Sequence, residues 1–354
     1  MRIQQYIRIS DMKQNTLRIL LLHAYILVVV LFIAGCDIFG NDSSKSSGNQ
    51  GVETETETFT PISSGTPLPN GTLQDKLLAI AQRMDKNVIY DIAIDSDASY
   101  SPLIVRTQGK NVTIRIHSAS AAGRTLTLNS QGSLFNVGAN TTLILENIIL
   151  KGIPNNNMPL ISVTEGGALF ILDGTIIRDN QNENPNGYDG NGGGINVGID
   201  SRLFMKGGEI CYNFIKNGSG GGVYIQSGGF FNMTGGIIHH NEAEISSRGE
   251  GGGVCIHERH VLSYTTFIMN GGEIASNTAF LGGGVYISGK FVKEPLPNQT
   301  ISGIIWGYPA NGRENYANGA AIYWAWLDSV KYNNGTFGEY DYLNTDRGQE
   351  WLFQ

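Results

Sequence analysis

A triplet of glycines returns along this chain, each time leading into a short β-type run: Gly192-Gly-Gly-Ile-Asn-Val197, Gly220-Gly-Gly-Val-Tyr-Ile225, Gly251-Gly-Gly-Val-Cys-Ile256 and Gly282-Gly-Gly-Val-Tyr-Ile287. A degenerate fifth copy reads Gly319-Ala-Ala-Ile-Tyr-Trp324, and the first positions lie 28, 31, 31 and 37 residues apart. A second motif interleaves with the first: Gly207-Gly-Glu-Ile-Cys-Tyr-Asn213, Gly235-Gly-Ile-Ile-His-His-Asn241 and Gly271-Gly-Glu-Ile-Ala-Ser-Asn277, with a weaker relative at Gly174-Thr-Ile-Ile-Arg-Asp-Asn180. Before the doubled glycine an alternating strand recurs, as in Leu203-Phe-Met205, Phe231-Asn-Met233 and Phe267-Ile-Met269. Each repeat therefore holds three strand-like pieces separated by Gly- and Asn-rich corners, which is one coil of a parallel β-helix.

Rival repeat architectures fit less well. Glycines and β-branched residues oppose helical repeats, and no Leu-x-x-Leu-x-Leu frame exists for a leucine-rich solenoid. Propeller blades need four strands in about 40–45 residues and carry a Trp-Asp signature that is missing here. Stacked coils lie about 4.8 Å apart, so equivalent residues should form columns. Val, Ile, Phe and Met would fill the interior, while Asn180, Asn213, Asn241 and Asn277, sharing one repeat position, should form an asparagine ladder at a corner. Strands are also expected at Val112–Ile116, Thr125–Leu128, Leu134–Val137, Thr142–Leu145, Leu160–Val163 and Ala168–Leu172, which gives roughly seven to nine coils over 88–324.

A solenoid needs covered ends, because open strand edges pair with other chains. Thr72 followed by Asp75 resembles a helix cap, and Leu73, Leu77, Ile80, Ala81 and Met84 form an apolar face at helical spacing. A capping helix over 72–87 is expected. At the other end, residues 325–354 are rich in aromatics; with Tyr323 and Trp324, the set Trp326, Tyr332, Phe337, Tyr340, Tyr342, Trp351 and Phe353 could stack on the last coil.

Composition agrees with this reading. Glycine makes up 47 of 354 residues, well above the usual share of about 7%, with no Gly-X-Y period that would suggest collagen. Charged residues are 16% and formal net charge is −7. Residues 1–35 hold Arg2, Arg8, Lys13 and Arg18 against Asp11, so the remainder is more acidic still. No basic stripe appears, which argues against nucleic acid as a partner.

The amino terminus carries an address. A basic stretch ends at Arg18, an apolar run spans Ile19–Ile33, and Ala34-Gly35 precede Cys36. Charged region, apolar region and small residues at a cleavage point are the parts of an export signal. The apolar run is also shorter than the roughly 20 residues that span a bilayer. Leu31-Phe-Ile-Ala-Gly-Cys36 resembles the lipobox of bacterial lipoproteins. That likeness implies a signal peptide over 1–35, with initiation at Met1 or Met12, and diacylglycerol on the Cys36 thiol. Cys36 would then become the first mature residue, held to the membrane by its acyl chains. Residues 36–71, rich in Ser, Thr, Gly and Glu, then read as a flexible tether. Asp37 favours inner-membrane retention under one sorting rule, which leaves the membrane open.

The alternation of Gly-Gly-Gly-Val-Tyr-Ile with Gly-Gly-Glu-Ile-x-x-Asn resembles repeats of the polymorphic outer-membrane protein type and, more closely, bacterial repeat lipoproteins carrying a lipobox, a Leu-rich capping segment and such coils. The matching pieces are Ile33–Cys36, Leu73–Met84, Gly109-Lys-Asn-Val-Thr-Ile114, Gly132-Ser-Leu-Phe135 and the glycine-triplet coils. The resemblance implies an all-β, right-handed parallel β-helix, a pectate-lyase-like solenoid with a short N-terminal capping helix. It also implies an outer-membrane or surface role. The last residues form no set of amphipathic ten-residue strands of the kind an autotransporter barrel uses.

No convincing catalytic, metal or cofactor site is read from the sequence. Glu209 and Glu273 share a column, but Ile237 stands between them and two rungs separate them by about 9.6 Å, at the upper limit for an inverting glycosidase pair. His239 and His240 align with Cys211-Tyr212 and Ala275-Ser276, so the column lacks consistent ligand chemistry. His257 and His260 fall on or beside a strand, where residues three apart point to opposite faces. Cys211 and Cys255 read as packed apolar residues or, less readily, a disulfide. Asn186-Gly and Asp189-Gly-Asn-Gly only distantly suggest calcium-binding turns. The expected function is that of a lipid-anchored, non-enzymatic display or adhesion module with a host, matrix or glycan ligand. The alternatives are a polysaccharide lyase or hydrolase and a purely structural envelope protein.

Overall fold

Three residues recur at the heart of the molecule, an Ile flanked by two outward-pointing neighbours, and their stacking shows how the chain is wound. In a computed structural model, the described residues are 63–183, 191–258 and 265–293, with the short pieces 303–305, 315–317, 322–324, 342–345 and 349–352. The signal segment, Cys36 and the tether as far as residue 62 lie outside them, as do Asn186, Asp189 and His260; within the tether's expected bounds Ser63–Ser64 already pairs with Val88–Ile89. No helix among the described residues is long and apolar enough to cross a membrane.

The chain is a parallel β-helix. Among the described residues its first sheet has nine strands, running from Ser63–Ser64 through Lys86–Ile94 to Lys290–Lys293. The second has eight, from Ala98–Tyr100 to Ile304–Ile305, and the third has ten, from Leu103–Val105 to Gln349–Leu352. Successive coils pair in parallel and in constant register: Leu143, Leu169, Leu203, Phe231, Phe267 and Phe291 form one column of the first sheet. In the second sheet Leu126, Leu150, Ile177, Ile210, Ile238, Ile274 and Ile305 form another. These side chains point inward and are fully or nearly fully buried, each contributing about 1.5–3 kcal/mol relative to exposure. Phe231 and Phe267 stack with ring centroids 4.6 Å apart.

The coil has one side more than the three expected. Five two-residue strands, Gln181–Asn182, Phe214–Ile215, Glu242–Ala243, Thr278–Ala279 and Tyr316–Ala317, form a fourth parallel sheet. It begins immediately after the corner asparagines, whose carbonyls receive the next coil: Glu242 N–H donates to Asn213 O at 2.9 Å and Thr278 N–H to Asn241 O at 2.9 Å. Ile215, Ala243 and Ala279 pack together beneath it.

Helix α1 spans Leu73–Ala81, with Thr72 as its N-cap. Thr72 Oγ1 accepts from the Asp75 N–H at 3.2 Å, and the Asp75 carboxylate accepts from the Thr72 N–H at 2.9 Å, a reciprocal capping box. Leu73, Leu77 and Ile80 join the main core and so close the first coil. The helix is shorter than the expected 72–87. It ends at Ala81, Lys86 already opens a strand, and Met84 is 73% exposed instead of lining the apolar face. Strand pairing of Lys86–Ile94 with Lys110–Ser118 captures the backbone that another helical turn would need. At the far end, Tyr342–Thr345 adds to the third sheet in parallel and Gln349–Leu352 closes it antiparallel.

Candidate functional site on the outward face of the second sheet

In the second sheet the three-residue strands Ile176–Arg178, Glu209–Cys211, Ile237–His239 and Glu273–Ala275 each send a central Ile inward and two flanking residues out. One outward column reads Thr125, Ile149, Ile176, Glu209, Ile237, Glu273, Ile304, and the other Thr127, Lys151, Arg178, Cys211, His239, Ala275. Asp179, Tyr212, His240 and Ser276 follow at the corner with positive φ of 58°, 54°, 51° and 53°. That left-handed kink turns the chain into the asparagine column.

The middle of this face gathers the chemistry. Arg178 Nε donates to Asp179 Oδ2 at 2.8 Å, and its guanidinium lies 5.9 Å from the centre of the Tyr212 ring. Tyr212, 49% exposed, stacks on His240 at 5.0 Å and meets His239 edge-on at 5.7 Å. His239 Nδ1 stands 2.7 Å from His240 Nδ1, and His239 Nε2 is 3.4 Å from Glu209 Oε2. Cys211 is 2% exposed; burial first, then the Glu209 carboxylate, pushes its thiol up to about 12, with Arg178 opposing and Asp179 adding. Burial and the neighbouring His239 hold His240 below the usual imidazole range. Toward the N-terminal coils the face opens into a shallow cleft of about 600 Å³ lined by Asp97, Thr125, Thr127, Lys151, Arg178 and Asp179.

Next to this face runs the asparagine column. Asn213 Nδ2 donates to Asn241 Oδ1 at 3.0 Å, Asn241 Nδ2 to Asn277 Oδ1 at 3.0 Å, and Asn277 Nδ2 to Asn315 Oδ1 at 2.9 Å. Asn180 N–H donates to Asn213 Oδ1 at 3.3 Å, and Asn156 Nδ2 donates to Asn180 Oδ1 at 2.8 Å. The same amides reach inward carbonyls, as Asn241 Nδ2 does to Ile210 O at 2.8 Å. Asn156 and Asn315 were not read from the sequence. Asn315 carried a usable signal, since Asn315-Tyr-Ala317 repeats the form of Asn241-Glu-Ala243 and Asn277-Thr-Ala279.

The other residues that the sequence singled out separate in space. Glu209 and Glu273 do share a column with Ile237 between them, two rungs and about 9.6 Å apart. His257 follows Val254–Ile256 in the third sheet, away from the strand carrying His239. Cys211 and Cys255 lie in different sheets with free thiols. Cys255 packs between Tyr224 and Tyr286 on the outward side of the third sheet. Tyr323, Trp324, Tyr342 and Trp351 fall within terminal strands, while Trp326, Tyr332, Phe337, Tyr340 and Phe353 lie outside the described residues. Sequence reasoning missed two convergences: Glu209, Cys211 and His239 bring ligand-type atoms within 4.8 Å of one another, and so do Glu250, Cys255 and His257. No protein-family model, curated protein or solved structure matches this chain.

Proposed function

We propose that this chain is an exported lipoprotein of the bacterial cell envelope, anchored through Cys36 at the outer membrane. Its β-helix would present a non-enzymatic binding surface to a glycan, matrix or host ligand. The observation that carries the reading is the order of parts: apolar Ile19–Ile33, Ala34-Gly35-Cys36, a polar tether, and a folded unit that opens with strand Ser63–Ser64 and the Thr72 capping box. The outward face of the second sheet suits binding, since an exposed Tyr212 ring beside Arg178 and two imidazoles, with Lys151 one rung beyond Arg178, offers stacking and hydrogen-bonding groups to a sugar chain. A polysaccharide hydrolase is less well supported. Its two carboxylates would be Glu209 and Glu273, at about 9.6 Å just beyond the roughly 6.5–9.5 Å of inverting enzymes, with apolar Ile237 where water must act.

Labelled palmitate fed to cells should enter the wild-type protein and not Cys36→Ala, and protease shaving of intact cells should degrade it. Binding to an immobilised glycan or matrix panel should fall about tenfold or more in Tyr212→Ala, about 1.4 kcal/mol, in the range of a single stacking contact. Release of reducing or unsaturated ends from uronate or neutral polysaccharides would discard the non-enzymatic reading.

A further inference from the structure

A carboxylate, a thiol and an imidazole meet at one point on the second sheet. Cys211 and His239 are register partners on adjacent coils, about 4.8 Å apart along the ladder, and Glu209 stands two residues before Cys211 on the same face. Their ligand-type atoms all lie within 4.8 Å of one another. His239 Nε2 and Glu209 Oε2 are 3.4 Å apart; the edge of a tetrahedron built on Zn–N and Zn–O bonds of about 2.0–2.1 Å is about 3.3 Å. Two donors already stand at the separation a tetrahedral ion imposes. The other imidazole nitrogen, His239 Nδ1, lies 2.7 Å from His240 Nδ1. A proton shared there leaves the Nε2 lone pair facing Glu209 and Cys211, as outer partners of metal-bound imidazoles commonly arrange.

We infer that Glu209, Cys211 and His239 form a site for a borderline-soft divalent ion, Zn²⁺, with His240 as a positioning residue and a fourth coordination position open to solvent. A donor set of one sulfur, one nitrogen and one oxygen selects zinc over calcium or magnesium, which take oxygen ligands. Thiolate and carboxylate together balance the ion's charge, and as the S–Zn bond forms the Cys211 proton leaves to solvent. Arg178, the cation on the rung next to Cys211, is compensated by Asp179 at 2.8 Å. Three protein ligands with an open position are the arrangement of zinc sites that bind or activate a further molecule. The inference goes beyond the adhesion reading and does not depend on it. The second cluster is less suited: Cys255 is fully buried among tyrosines, and Glu250 lies 3.5 Å from the Ser219 hydroxyl.

Chelator-stripped, reduced full-length protein is titrated with Co²⁺ and then Zn²⁺. A single equivalent of Co²⁺ should give a thiolate-to-cobalt charge-transfer band with tetrahedral d–d absorption, and Zn²⁺ should displace it. The band should persist in Cys36→Ser and Cys255→Ser and vanish in Cys211→Ser, with affinity falling at least about 100-fold; His240→Ala should weaken binding about tenfold with the band retained. Should Cys211→Ser lose its β-type circular dichroism, His239→Gln and Glu209→Gln, on partly exposed positions, provide the test through the same loss of affinity. Absence of the band in folded wild-type protein, or a band that follows Cys36 or Cys255, overturns the inference. So does unchanged affinity in the folded His239 and Glu209 variants.

Discussion

Asn241 is bonded in both directions along its column. It accepts from the Asn213 N–H at 3.1 Å and Asn213 Nδ2 at 3.0 Å, and it donates to Asn277 Oδ1 and Ile210 O. Leucine at this position leaves the buried Asn213 N–H without its acceptor, at about 1–3 kcal/mol, and removes the amide bonds to Asn213, Asn277 and Ile210 as well. Asn241→Leu should therefore lower stability by about 3 kcal/mol, read as a shifted urea midpoint; an unchanged midpoint would deny the ladder a stabilising role. Glycine is demanded as sharply at Gly221, where a Cβ would lie 2.4 Å from Gly252 O and 2.6 Å from the Glu242 carbonyl carbon. Gly221→Ala should cost about 1–3 kcal/mol by overpacking in the same assay. Asn180, Asn213, Asn241 and Asn277 were legible because each follows its Gly-x-x-Ile motif at a fixed offset. That offset fails at Asn315, where nine residues intervene after Ile305, so only the Asn-x-Ala form of Asn315-Tyr-Ala317 marks it. The pairing of Cys211 with His239 was also legible as register. What sequence could not supply was the side-chain geometry that swings Glu209 toward the imidazole.

At the scale of elements, α1 is the cover on the first coil. Leu77→Ala removes a buried side chain from that junction and should cost about 2–5 kcal/mol in thermal or urea unfolding. The Asp75 carboxyl is held below its ordinary range by the Thr72 hydroxyl first and the Thr72 N–H second. A folded value below the unfolded one means that its contribution is present above the unfolded value and lost as pH falls through the folded one. Amide protection factors at Thr72, Asp75 and Lys76, taken relative to intrinsic exchange at each pH, should therefore fall in acid, and Asp75→Asn should abolish that acid step. The start of this helix was readable from Thr72 and Asp75, but its end was not, because Met84 keeps helical spacing while strand pairing of Lys86 onward decides where the helix stops. The fourth sheet escaped notice for a different reason. Two-residue strands such as Phe214–Ile215 and Glu242–Ala243 are too short for alternation to register.

For the molecule as a whole, cross-coil pairing from Lys86 to Lys293 contrasts with the polar composition of 36–71. Limited digestion with a protease of broad specificity should cut within 36–62 first and leave a fragment beginning near Ser63, where Ser63–Ser64 already pairs with Val88–Ile89; early cleavage inside the glycine-triplet coils would contradict that contrast. Within the cylinder, neighbouring coils present matched surfaces to one another: glycine corner on glycine corner, asparagine on asparagine, isoleucine on isoleucine. A recombination event that duplicates or drops one whole unit would still find complementary partners above and below, because each unit answers only to its neighbours. Such an event would change the cylinder by about 4.8 Å. Cylinder length can therefore change in whole units without disturbing the contacts inside any one coil.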